Sequence, residues 1–355
     1  MHYREQSQKH LKVDLKNKKN ILFTFDYELF LGKRSGSVQK CCIEPTSILI
    51  KIFDEFKIKN AIFFVDTTYL LRLKENNDSR STADFIAVSN QIQELIKKGH
   101  YVFPHIHPHW LDANYLKENN QWDLCNNSRY RFSHLNENER MELFKKSVEV
   151  LQEIIIPIAP QYKIDSYRAG GWCIQPFADF MPTFEEHKIV NDFSVMRSKV
   201  NTSDIQFYDF RNAPYKNIYT FENDPLVESK NGRYKEYSIS ILNISSLNQF
   251  LNKLLLAVIW RLKYRSMGDG VGSVASAETA VINEKEIKEM VSMELLTDVR
   301  LPLYLKYIKK NEYMHFISHP KMLSHYNLVV FRKFLAKFTS RYEFETDYKK
   351  MLESL

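Results

Sequence analysis

Asn20-Ile-Leu-Phe-Thr-Phe-Asp-Tyr-Glu28 decides the fold. A short apolar run with β-branched and aromatic residues is a buried strand, and here it runs straight into two carboxylates. The same sentence is written twice more downstream. Ala61-Ile-Phe-Phe-Val65 ends in Asp66, and Tyr101-Val-Phe103 ends in the histidines of Pro104-His-Ile-His-Pro-His-Trp110. Between these strands lie helical patterns. Residues 46–57 carry apolar positions 48, 49, 52, 53 and 56 behind a Thr/Ser cap, residues 83–98 stop at Gly99, and residues 137–155 form a long amphipathic helix before Pro157. Strand and helix alternate, and polar residues gather just past the strand ends. That is the pattern of a parallel α/β sheet or barrel, whose sites lie at the carboxyl ends of its strands.

Composition narrows the function classes. The chain has 355 residues, is 44% hydrophobic and carries only 9 Gly and 11 Pro, so it has a core and is neither a disordered nor a collagen-like chain. Its net charge of +7 sits at the two ends. Residues 1–20 contribute +4 and residues 301–355 contribute +5, leaving the body between them at −2. Without a zinc-finger spacing or a long basic helix, this distribution argues against nucleic acid as a partner. Cys41, Cys42, Cys125 and Cys173 form neither a disulfide framework nor a structural zinc pattern. The start of the chain lacks a signal-peptide core, and Leu254–Trp260 is far too short to span a bilayer. A cytoplasmic setting without a transmembrane segment is therefore expected. Gly268-Asp-Gly-Val-Gly272 fails the phosphate-cradle spacing and reads as a mobile loop or a boundary.

Four strand ends carry chemistry. In Thr24-Phe-Asp-Tyr-Glu28, residues two apart share a side, so Asp26 and Glu28 can face one site. Two such carboxylates repel unless a cation or a shared proton relieves them. In the second, His105 and His109 reach one ion if the chain turns at Pro108, with His107 pointing elsewhere or standing behind the ligands. In the third, Tyr167-Arg-Ala-Gly-Gly-Trp172, the paired glycines allow a sharp bend or a close approach. Arg168 can grip a carboxylate, and Trp172 offers a flat face to a sugar ring. The fourth is Phe316-Ile-Ser-His319-Pro320. Each alone also reads plainly, as a solvated strand end, a surface histidine cluster, a turn and a structural histidine. Jointly, one carboxylate and two histidines make a three-ligand metal site with open positions. A spare carboxylate, an arginine and a distant histidine then supply base, orienter and acid.

In the order and setting of these motifs the chain resembles the polysaccharide deacetylase family, the NodB-homology fold of carbohydrate esterase family 4. TFDYE resembles its opening motif, HIHPH followed by Trp110 its metal motif, YRAGGW its arginine motif and ISHP its closing histidine motif. The resemblance covers about 21–195 and 313–325. It implies a distorted (β/α) barrel over residues 21–355, behind a polar basic tail at 1–20 and interrupted by a long unmatched insertion at about 198–300. It further implies a divalent metal, zinc first with Fe2+, Co2+ or Ni2+ as alternatives, held by His105, His109 and a carboxylate.

The family places its base and its metal-binding acid side by side, whereas here Tyr27 stands between them. The resemblance then implies Asp26 as base and Glu28 as ligand, with the two roles exchangeable. Arg168 would orient Asp26, and His319 would be the general acid. Asp192 lies roughly where the acid that tunes this histidine belongs, and Tyr27, Trp110, Gly171 and Trp172 would meet substrate. The implied reaction removes an N-acetyl group from a sugar of a surface polysaccharide or its precursor. Two rivals remain: a degenerate glycan-binding protein of the same fold, favoured by Tyr27, and a metal-dependent amidase or phosphoesterase using His105-x-His107 as its ligand pair.

Overall fold

The computed structural model describes residues 18–259, 264–272 and 286–351. The expected N-terminal tail lies, up to residue 17, outside the described residues. Nine strands form the main sheet: β1 (Lys18–Tyr27), β2 (Ile62–Asp66), β3 (Tyr101–Ile106), β4 (Ser166–Ala169), β5 (Asn191–Asp192), β6 (Ile218–Phe221), β7 (Tyr234–Tyr237), β8 (Tyr313–Ser318) and β9 (Glu343–Glu345). They lie in the order β6-β7-β5-β4-β3-β2-β1-β8, with β9 pairing the start of β1. All pairs are parallel except β6–β7.

Helices cover the sheet: α1 (Glu44–Glu55), α2 (Thr67–Asn76), α3 (Ser79–Lys97), α4 (Glu137–Ile155), α5 (Met181–His187), α6 (Ser246–Ile259), α7 (Leu301–Lys310) and α8 (His325–Thr339). Local chemistry starts several of them. Asp78 accepts from the amides of Arg80 and Ser81 at the head of α3, and Asn136 and Glu139 form a reciprocal capping box on α4. The inner strands are buried along nearly their whole length, because helices lie over the sheet. Phe23 of β1 meets Phe53 of α1, Phe316 of β8 and Phe331 of α8 at centroid distances of 5.4–5.7 Å, which ties the sheet and two of its covering helices into one core.

The sheet is a curled half-barrel rather than a closed ring of ladders. Single backbone bonds span the remaining gap: Ile239 donates to Val195, Ser240 to His315, Val291 to Ser240 and Ile317 to Val291. The stretch 198–300, expected as an insertion, thus supplies β6, β7 and the residues that bridge β8 to the β5 side. Gly268–Gly272, expected as a mobile loop or a boundary, is hydrogen-bonded to neighbouring loops. Asp269 accepts from the amide and hydroxyl of Ser37, and Gly268 donates to Lys321. A side chain on Gly36, at φ +78°, would lie 2.7 Å from Gly270 N, so only glycine allows the two loops to meet.

Candidate metal-dependent active site

The carboxyl ends of β1, β3, β4 and β8 converge, and each delivers a residue from one of the four motifs. Asp26 and Glu28 share a side of the chain leaving β1, as alternation requires. Their near-total burial would be prohibitive without cations, and each has one. The Arg168 guanidinium donates to Asp26 Oδ1 at 2.6 Å, and the Lys321 ammonium donates to Glu28 Oε1 at 2.8 Å and to the Leu29 carbonyl at 2.6 Å. Burial alone would raise both carboxyls. Arg168, with His105 and His319 behind it, holds Asp26 below the usual range. Lys321, followed by His107, holds Glu28 well below it.

Arg168 is fully buried and fully engaged. It donates through Nε to the Phe193 carbonyl at 3.0 Å and through Nη2 to Thr24 Oγ1 at 2.7 Å, and its guanidinium lies 4.3 Å from the centre of the Phe64 ring. His315 Nε2 lies 3.2 Å from the same Nη2 and accepts from it, which leaves Nδ1–H for the carbonyls of Tyr237 and Ser238. Burial, reinforced by Arg168, pushes His315 well down and keeps it neutral. This cage fixes the orientation of Asp26 and leaves Oδ2 as its free oxygen.

Glu28, His105 and His107 form a group whose ligand atoms all lie within 4.8 Å of one another. His105 Nε2 stands 3.0 Å from His107 Nε2 and 3.5 Å from Glu28 Oε2, and His107 Nε2 stands 2.8 Å from that same oxygen. Ligand atoms around a tetrahedral zinc stand roughly 3.3 Å apart, given bond lengths of about 2.0–2.1 Å. His105 Nδ1 donates to the Arg168 carbonyl at 2.8 Å, so the lone pair of its Nε2 points into the group. That tautomer lock is how proteins commonly present a histidine to a metal. The donor set and its spacing therefore fit a divalent ion.

His109, expected as the partner of His105, is not in this group. β3 stays extended as far as Ile106, so alternation brings His105 and His107 together, and the helical turn at Pro108–Asp112 then carries His109 away. His109 stacks on Tyr130 at 5.0 Å with both ring nitrogens unpartnered, and burial pushes it down to about 3. Gly170 makes room for this arrangement. A Cβ there would meet the Ile106 carbonyl at 2.2 Å and His107 Nδ1 at 2.9 Å.

His319 Nε2 lies 3.6 Å from Asp26 Oδ2 and 3.8 Å from Glu28 Oε1. Its acid partner is Glu294, not Asp192. Glu294 accepts from His319 Nδ1 at 2.9 Å and from the His319 amide at 2.8 Å. Burial works against the charged imidazole, but Glu294, with Asp26 and Glu28 behind it, raises His319 to about 9. Asp192 sits on β5 beside Glu236 of β7, its Oδ1 accepting from Ser194. Burial raises both carboxyls, and the neighbouring Asp192 raises Glu236 further.

A cavity of about 120 Å3 lies over these groups, walled by Asp26, Glu28, His105, His107 and His319, with Tyr130, Gly171, Trp172 and Gln206 at its other side. Trp172 is held at φ +59°, a conformation that costs a non-glycine residue about 1 kcal/mol. Tyr27 and Trp110, both expected to meet substrate, do not line it. Tyr27 is one residue out of phase with Asp26 and Glu28 and donates to Gln91 at 2.8 Å, while Trp110 is fully buried and donates to Asp66 at 2.5 Å. Sequence reasoning missed Lys321 and Glu294 as members of the site, and it placed His107 among the ligands only in the amidase or phosphoesterase reading. Lys321, two residues past His319, carried a signal; Glu294, in an irregular stretch, did not.

No protein-family profile matches the chain, and no curated protein matches it. Among solved structures it is similar to a Mycobacterium smegmatis protein described as a polysaccharide deacetylase, with 13% identity over 93% of this chain and 87% of that one and a TM-score of 0.47. It is also similar to the catalytic domain of a peptidoglycan N-acetylglucosamine deacetylase from Eubacterium rectale, with 10% identity over 96% and 94% and a TM-score of 0.41. A GH57 branching enzyme from Thermococcus kodakaraensis aligns at 8% identity over 94% and 70%, with a TM-score of 0.44. Likeness at this level says nothing of chemistry, which has to be read from the side chains.

Proposed function

We propose that the chain is a metal-dependent hydrolase that removes an N-acetyl group from a sugar, with Glu28, His105 and His107 holding the ion and Asp26 acting as base. One observation carries the division of labour. Each carboxylate has one oxygen tied to a cation, and the free oxygens differ in what they face. Glu28 Oε2 lies 3.5 and 2.8 Å from the Nε2 atoms of His105 and His107, whereas Asp26 Oδ2 lies nearer His319 Nε2, at 3.6 Å, than His105 Nε2, at 3.9 Å. A bound divalent ion, zinc before Fe2+, Co2+ or Ni2+, would polarise the acetyl carbonyl and lower the pKa of water toward ~7. Asp26, kept ionised by Arg168, takes the proton of the attacking water. His319, kept protonated by Glu294, gives its proton to the departing amine nitrogen, which leaves poorly without one. The cavity, about 120 Å3 in volume, suits an acetamido group with the sugar ring outside against Trp172.

With Tyr27 turned away, the Asp-Tyr-Glu opening obstructs nothing, and the glycan-binding rival loses the feature that favoured it. The pairing of His105 with His107 does favour a second reading, a metal-dependent amidase or phosphoesterase. The substrate's origin in a surface polysaccharide or its precursor, and a cytoplasmic setting, belong to the proposal. Acetate release from a panel of N-acetylated glycans, with and without chelator, tests it. Asp26→Asn is expected to keep its metal and lose at least 100-fold in turnover, and Glu28→Gln to lose both. Phosphate release from phosphoesters without acetate release would favour the second reading. A metal-replete, fully active Glu28→Gln protein would overturn the ligand assignment.

A further inference from the structure

α6 is mounted with its polar side inward. Asn252 is only 7% exposed and accepts from Thr297 at 2.6 Å, while Asn248 donates to the Val299 carbonyl at 3.2 Å. The opposite face carries Leu247 at 67% exposure, Phe250 at 58%, Leu251 at 44%, Leu254 at 51% and Val258 at 78%. The spacing 247, 250, 251, 254, 258 makes one stripe along the whole helix. A helix on a protein surface ordinarily buries such a stripe and wets its asparagines. Ile287, on the antiparallel strand pair formed by 241–245 and 286–290, is a further exposed apolar residue of this region.

We propose that this face docks the protein onto an anionic lipid bilayer surface. Charge selects the occupant. The sequence from Tyr237 to Gly268 contains four Lys/Arg and no Asp or Glu, and Lys253 stands exposed at the edge of the stripe. Glu286, Lys288 and Glu289 on the paired 286–290 strand leave these segments with a net charge of +3, and an apolar stripe beside net positive charge is the make-up of a helix that lies in a membrane interface. Two copies meeting through this face would set those cations against one another. The stripe is also far smaller than the roughly 20–30 residues a side of a stable protein interface. At about 1.5 Å per residue the helix is about 21 Å long, and no described helix is long and apolar enough to cross a membrane, so it lies flat. Its anchors Thr297 and Val299 follow shortly after Glu294 in the chain, so docking brings the flank of the active site to the bilayer. This inference is independent of the chemistry proposed above.

The test is co-sedimentation of the full chain with vesicles of phosphatidylcholine alone and of equal parts phosphatidylcholine and phosphatidylglycerol. The protein is expected to pellet with the anionic vesicles at least tenfold more strongly than with the neutral ones, and to be released by high salt. Replacing Phe250 and Leu254 together by Glu should reduce this partition at least tenfold. Both side chains are solvent-exposed, so the variant should keep the wild-type circular dichroism spectrum and thermal midpoint. Protein that stays in the supernatant with both vesicle types overturns the proposal. So does a wild-type dimer, seen by light scattering at micromolar concentration, that the double variant converts to monomer, because a second copy would then be the occupant.

Discussion

Lys321 shows how a buried residue can be isolated experimentally. Its buried ammonium is held by Glu28 Oε1 and the Leu29 carbonyl and lies 5.3 Å from the centre of the Phe30 ring. Removing one partner of a buried ion pair costs about 3–5 kcal/mol, because the other charge is left uncompensated. Lys321→Met should therefore destabilise the chelator-treated protein by about 3 kcal/mol in urea unfolding. If Glu28 also binds an ion, saturating zinc supplies a new counter-charge and should recover part of that loss. Equal destabilisation with and without zinc would mean that Lys321 acts by packing on Phe30 and that Glu28 meets no ion.

At the scale of elements, the junction of α3 and β3 sets a pH response away from the site. Gly99 turns the chain at φ +83°, and the next residue, His100, is buried between Phe53 and Phe63 at centroid distances of 5.6 and 6.1 Å. Burial drives His100 down to about 4, against about 6.5 in an unfolded chain. Between those values the unfolded chain binds the proton and the folded one does not, so folding stability rises with pH across that window. His100 costs nothing above about 6.5, and its penalty grows to at most about 3 kcal/mol as pH falls to 4. The stability difference between wild type and His100→Phe should change across pH 4–6.5 by that amount. A pH-independent difference would show that His100 is already protonated in the fold.

The same junctions show what the sequence could and could not convey. Apolar runs closed by acids or histidines located β1, β2, β3 and β8, because parallel strands under helices have no polar face to blur the signal. Alternation correctly put Asp26 beside Glu28. It was abandoned one motif later, where Pro108 suggested a turn that begins only after His107, and His109 was chosen in its place. β6 and β7 were not recognised, because they belong to an antiparallel pair without intervening helices. Glu294 was illegible for a different reason. It is brought to His319 by bridging backbone at Val291 that follows no period.

For the whole molecule, the candidate ion joins elements that fold far apart in sequence. Glu28 leaves β1 and the two histidines leave β3, with β2, α1, α2 and α3 between them. An ion that binds only when β1 and β3 are in place stabilises the entire fold by mass action, by about 4 kcal/mol at 1,000 times its dissociation constant. Specific unfolding entropies put that near 5 °C for a chain of this length. Zinc added to chelator-stripped protein is thus expected to raise Tm by about 5 °C. The rise should vanish in His105→Ala and His107→Ala and survive in His109→Ala. His109 must pass this test because it is buried with two unpartnered nitrogens, which makes it the alternative ligand. A rise lost in His109→Ala but kept in His107→Ala would restore the pairing implied by the His-x-x-x-His spacing, and would mean that the loop at Pro108 refolds around the ion.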